Sequence, residues 1–133
     1  MIKNEILDTL RSKVGQDDFD YIQGDMVEEI EQCENPFEFV EQILQLMEDN
    51  PDTDFGVPGA LTHFIESFAL NGYEKLLLQS VKHNPTAHTV WLLHRAWNDV
   101  NDPMHEDYES LVEYLKPMPN LSEGVKSSLE MFD

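Results

Sequence analysis

Apolar residues recur at helical spacing along this chain, and proline, glycine or asparagine interrupts each recurrence after a few turns. In one such segment Leu61, Phe64, Ile65 and Phe68 follow the i, i+3, i+4, i+7 pattern of a buried helix face, and Asn71-Gly72 then stops it. Nowhere do β-branched or aromatic residues alternate with polar ones over the length that a half-buried strand requires. The sequence therefore predicts an all-α fold of about seven short amphipathic helices.

The same signals predict where individual helices begin and how they could pair. One helix is expected to open at Val57-Pro58. Thr86 is expected to cap another, whose apolar stripe runs on to Val100. The segments 57–83 and 86–115 each have the pattern of a helical pair of about thirty residues, so one option is a stack of hairpins like HEAT repeats.

Length and charge bound the class of protein. At 133 residues the chain is expected to form a single domain over residues 1–133, large enough to bury a core. It carries 27 acidic and 8 basic residues, for a formal net charge of −19. Residues 1–56 hold 16 acids and 3 bases, whereas residues 57–100 hold three of each. Such an anionic surface repels nucleic acid and anionic membranes and favours basic protein partners.

The densest acidic segment lies between Gly15 and Gln32, which enclose seven acids and no base. The apolar residues of this segment fall on one helical stripe, so the acids are expected on the opposite side. A solvated helix face is the ordinary explanation, but like charges at i, i+4 cost a few tenths of a kcal/mol per pair, which a cationic partner would offset. The predicted partner-binding residues are Asp17, Asp18, Asp20, Asp25, Glu28, Glu29 and Glu31.

No targeting or membrane signal is evident in the chain. The segment Met1–Glu5 lacks a basic-then-apolar leader pattern, and no apolar run approaches the ~18 residues of a membrane span. The single Cys33 excludes an internal disulfide and a cysteine-based zinc site, and it is expected to be a small core residue. These features predict a cytoplasmic protein without membrane contact.

His63, Glu66 and His94 are the best candidates for a metal site. His63 and Glu66 lie three residues apart, but di-iron bundles use the reverse order, Glu-x-x-His, and use it twice. A structural role is therefore favoured for these residues. The acidic loop 52–56 does not match an EF-hand, because Phe55 falls where a calcium ligand is needed. No catalytic set is found, so neither enzymatic activity nor a cofactor is expected.

Three stretches, Gly56–Glu66, Gly72-Tyr73 and Pro85–Arg95, resemble small immunity proteins of bacterial polymorphic toxin and contact-dependent growth inhibition systems. The most specific element is the run Pro-Thr-x-x-Thr-Val-Trp that begins at Pro85, and the resemblance covers about a third of the chain. His94 departs from it, since Asn is expected there. The resemblance implies a binding protein without activity of its own, encoded beside its toxin and bound to that toxin's C-terminal domain in the cytoplasm.

The leading hypothesis is therefore a cytoplasmic immunity protein that neutralises a cognate toxin domain. The toxin domain is expected to be a basic nuclease, bound by one immunity monomer in a 1:1 complex. The alternative is an acidic helical adaptor, or a nucleic-acid mimic that inhibits a basic protein unrelated to toxins. A metal-dependent enzyme that uses His63, Glu66 and His94 is a third and less favoured hypothesis.

Overall fold

Eight α-helices and one short 3-10 helix make up the protein in a computed structural model that describes residues 1–133. There is no β-strand, which confirms the all-α prediction, and the helices number one more than expected. No helix combines the length and the apolar character needed to cross a bilayer. The elements are α1 (Lys3–Lys13), α2 (Phe19–Glu31), the 3-10 helix (Pro36–Phe39), α3 (Val40–Asp49), α4 (Ala60–Glu66), α5 (Tyr73–His83), α6 (Ala87–Trp97), α7 (His105–Leu115) and α8 (Glu123–Glu130).

One hydrophobic cluster of 28 buried residues draws side chains from all eight helices. Its largest members include Phe39 from the 3-10 helix, Phe55 from the loop after α3 and Tyr108 from α7. The most extensive helix contacts join α6 with α8, α1 with α2 and α5 with α6, while α4 lies mainly against α2. The segments 57–83 and 86–115 are thus not the main packing units, and HEAT-like stacking stays a prediction.

A capping box starts α6 at the predicted position. The Thr86 hydroxyl accepts a hydrogen bond from the Thr89 N–H at 3.1 Å, and the Thr89 hydroxyl accepts one from the Thr86 N–H at 3.1 Å. Two donors that the helix would otherwise leave without partners are satisfied in this way. The predicted cap at Thr86 is confirmed.

Three predicted helix boundaries are wrong. The helix α4 ends at Glu66 instead of continuing to Asn71-Gly72, because the chain continues from there in tight turns with i→i+3 hydrogen bonds. The helix α4 begins after Gly59 rather than at Val57-Pro58, because the chain is still turning there. The turn is so tight that a Cβ atom on Gly59 would lie 2.0 Å from the carbonyl oxygen of Phe55. The helix α6 ends before Val100, whose side chain is 88% exposed instead of lying on the buried stripe.

Candidate functional site

The seven predicted partner-binding acids lie together at the start of α2 and along it. The apolar residues of α2 face the core, and this orientation leaves the acids on the outer side. All of the acids are exposed except Glu29, which is partly buried. Together they form an acidic face that consists of Asp17, Asp18, Asp20, Asp25, Glu28, Glu29 and Glu31.

Few cationic groups compensate the acidic face. Asp18 pairs with the Nζ atom of Lys13 at 3.4 Å, and Glu29 pairs with the amino group of Met1 at 3.2 Å. The other five acids form no ion pair within the protein. A surface ion pair contributes only about 0–1 kcal/mol to stability, so the absence of ion pairs at these five acids costs the fold little. The uncompensated charge instead produces a strong local negative potential.

An aromatic side chain that the sequence analysis did not single out lies within the acidic face. Tyr21 is 81% exposed and precedes Asp25 by four residues and Glu28 by seven, so all three share one side of α2. Tyrosine is enriched among the residues that dominate binding at protein interfaces. The sequence marks Tyr21 because this residue lies off the apolar stripe of α2. A helix face that only contacts solvent does not require an aromatic ring.

The loop between α3 and α4 extends the negative surface. Asp52 and Asp54 line a shallow depression together with Asp17 and Asp20. The Asp54 carboxylate accepts a hydrogen bond from the Gly56 N–H at 2.8 Å, which holds the loop in shape. No group of three or more His, Cys, Asp or Glu side chains is arranged to hold a metal ion. Negative charge, and not a metal site, is therefore the chemical feature of this region.

His63, Glu66 and His94 do not form a ligand group. Both oxygens of Glu66 accept hydrogen bonds from Arg95, at 2.7 Å from Nε and 2.8 Å from Nη2. The Arg95 guanidinium also lies 4.9 Å from the ring centroid of Trp91, within cation–π range. These contacts tie α4 to α6, so Glu66 serves the scaffold.

His88 is held in its neutral form inside the same scaffold. Its Nε2 atom lies 3.0 Å from the Thr62 hydroxyl, and its ring centroid lies 5.4 Å from that of Phe55 and 5.3 Å from that of Trp91. Burial lowers the pKa of His88 to about 4, although the nearby Asp54 carboxylate acts in the opposite direction. The ring therefore adds no positive charge near neutral pH.

Most other buried polar side chains have internal partners, but the buried Tyr73 hydroxyl has no hydrogen-bond partner. The Ser80 hydroxyl donates to Glu48 at 2.9 Å and joins α5 to α3, and the Tyr108 hydroxyl donates to Asp102 at 2.5 Å. Burial, followed by the hydrogen bond to Asp102, raises the pKa of Tyr108. A buried carboxylate without such donors would be costly, so these contacts support the fold.

Comparison with known proteins finds no match to this chain among family models, curated proteins or solved structures. The geometry of the molecule itself is therefore the guide to its function. Its most distinctive surface is the acidic face, with Tyr21 within it and the Asp52–Asp54 loop beside it.

Proposed function

We propose that this protein is a cytoplasmic immunity protein that binds the C-terminal domain of a cognate toxin through the acidic face. The observation that carries the proposal is a set of exposed acids, five of them without an ion pair, around the exposed ring of Tyr21. The resemblance of Gly56–Glu66, Gly72-Tyr73 and Pro85–Arg95 to immunity proteins supplies the biological class. The expected partner is a basic nuclease domain, bound by one monomer in a 1:1 complex.

The spacing of the charges supports a nuclease as the partner. The five acids on α2 run from Asp20 to Glu31, which spans about 17 Å at 1.5 Å per helical residue. Five charges over that length average one charge per about 3 Å, close to the ~3.4 Å per phosphate along one strand of B-DNA. Lysine and arginine side chains that normally bind a phosphate backbone would therefore find a similar series of negative charges on α2.

Neutralisation follows from occupation of the same cationic surface. A nuclease whose basic groove is covered by α2 cannot bind its substrate, and electrostatic attraction makes the encounter fast at low salt. The same charge spacing supports the alternative, a nucleic-acid mimic that inhibits a basic protein unrelated to toxins. A toxin gene directly beside the gene for this chain favours the immunity protein, and its absence favours the alternative.

The decisive experiment is co-expression with the toxin C-terminal domain encoded by the adjacent gene. We expect this protein to restore growth and to elute with the toxin domain as a 1:1 complex in size-exclusion chromatography with light scattering. Growth arrest that persists, together with no complex, would refute the immunity proposal.

A matched pair of charge reversals tests the acidic face itself. The test variant carries Asp20→Lys, Asp25→Lys and Glu28→Lys. The control variant reverses three exposed acids without ion pairs on α7 and α8, by Glu106→Lys, Glu113→Lys and Glu130→Lys. Both variants change the net charge equally, but we expect only the test variant to weaken binding by about 100-fold and to flatten its salt dependence. Equal losses in the two variants would show that net charge, and not the acidic face, drives binding.

A further inference from the structure

A groove beside the acidic face lies between the loop after α3 and the helices α6 and α8. Its volume is about 450 Å³, and Phe55, Ala87 and Trp91 are among the residues that line it. Val57 on the loop and Met131 just after α8 also line it and are 80% and 38% exposed. Exposed apolar side chains beside a partly buried tryptophan are typical of a surface that receives an apolar group from another molecule.

The charged side chains that line this groove are Asp52 and Asp54, and neither forms an ion pair. Asp52 and Asp54 line the groove and also the depression that contains Asp17 and Asp20, so the groove is continuous with the acidic face. No lysine or arginine lines it, and the partly buried ring of His88 is neutral near neutral pH. An apolar surface edged by free carboxylates complements an apolar side chain that has cationic neighbours.

We propose that this groove receives a segment of the toxin domain in which an apolar or aromatic side chain is flanked by lysine or arginine. The apolar side chain packs on Trp91 between Val57 and Met131, and the flanking cations pair with Asp52 and Asp54. A second copy of this chain is disfavoured as the occupant, because two molecules of formal net charge −19 repel each other. The inference rests on the proposed function and adds an apolar contact at Trp91 that is separate from the one at Tyr21.

The test compares two valines that are similarly exposed but lie at different places in the fold. Val57→Lys places a cation in the groove, whereas Val100→Lys places the same cation in the link between α6 and α7, where Val100 is 88% exposed. With the toxin domain from the adjacent gene, we expect Val57→Lys to raise Kd at least about 10-fold. Val100→Lys should leave Kd within about twofold. If circular dichroism shows that Val57→Lys is misfolded, Met131→Ser tests the same groove.

Tryptophan fluorescence gives a second readout of groove occupation. The chain has two tryptophans, so Trp97→Phe leaves Trp91 as the single reporter. Binding of the toxin domain should shift the Trp91 emission to shorter wavelengths, because the groove loses water. An unchanged emission at saturating toxin domain counts against the proposal.

The outcomes separate this inference from the immunity proposal. If the wild-type protein binds and Val57→Lys binds as well as Val100→Lys, the groove assignment is overturned and the immunity proposal stands. If the wild-type protein does not bind the toxin domain, two fluorescein-labelled peptides, Lys-Arg-Leu-Phe-Arg-Lys and Lys-Arg-Ser-Ser-Arg-Lys, decide the matter. Tighter binding of the Leu-Phe peptide that is lost in Val57→Lys supports the groove, while equal or absent binding of both overturns it. A dimer that Val57→Lys dissociates would also overturn it, because the occupant would then be a second copy.

Discussion

Replacing His88 with glutamine should remove a pH-dependent part of the stability of this protein. The ring packs against Phe55 and Trp91, contacts the Thr62 hydroxyl, and has its pKa lowered by burial from 6.5 to about 4. Between these two pKa values the unfolded chain binds a proton at His88 that the folded chain does not bind. The stabilisation that is present above about pH 6.5 is therefore lost as the pH falls toward 4.

The size of this effect follows from the two pKa values of His88. Linkage gives a loss of about 2 kcal/mol in the free energy of unfolding when the pH falls from about 7.5 to about 5. The ring is partly exposed, and screening by solvent reduces the expected loss to about 1–2 kcal/mol. Measurements should stay at about pH 5 or above, because solubility falls as the pH approaches the sequence pI of about 4.3.

The assay is urea unfolding of the wild-type protein and of His88→Gln, followed by far-ultraviolet circular dichroism at several pH values. Glutamine keeps a hydrogen-bonding group beside Thr62. The many carboxylates titrate in both proteins, so their contribution cancels when the unfolding free energy of the variant is subtracted from that of the wild type. We expect the wild type to lose about 1–2 kcal/mol more than the variant over this range. If the difference in unfolding free energy between the wild type and His88→Gln does not change with pH, the assignment of a partly buried, neutral His88 is refuted.

Two further predictions concern the scaffold. Thr86→Ala should lower the free energy of unfolding by about 1–2 kcal/mol in urea titrations, because the Thr89 N–H loses its cap, and Thr86→Ser should restore most of it. Gly59→Ala should cost about 2 kcal/mol or more, because its Cβ would meet the Phe55 carbonyl oxygen at 2.0 Å. Gly24→Ala, where no neighbouring atom lies within 4 Å of the added Cβ, should instead stabilise α2 by about 0.5–1 kcal/mol. Equal melting temperatures for the two glycine variants would contradict this account of the turn.

The acidic face could be predicted because it depends on one helix. Phe19, Met26 and Ile30 recur on a single stripe of α2 and are buried, so the acids had to lie on the other side. Tyr21 was available to the same reasoning, since it lies off that stripe among the acids. An isolated exposed aromatic residue is common, so the sequence pattern alone does not distinguish a binding role for Tyr21 from simple exposure.

The groove could not be predicted, because it joins residues that are far apart in sequence. Asp54, Trp91 and Met131 come from the loop after α3, from α6 and from the end of α8. The burial of Glu48 could not be predicted for a related reason, because its hydrogen-bond partner Ser80 lies on α5. No local pattern contains this information.

The sequence by itself determined the helical character of the chain, the cap at Thr86 and the position of the acidic face. Each of these depends on residues within a few turns of one another, and helical spacing and capping chemistry act at that range. Only the tertiary structure decided that α4 packs mainly on α2, that α8 packs on α6, and that Asp52 and Asp54 lie beside Asp17 and Asp20. The burial of apolar surface that drives such packing is non-directional, so an apolar stripe shows that a helix is buried but not which helix covers it.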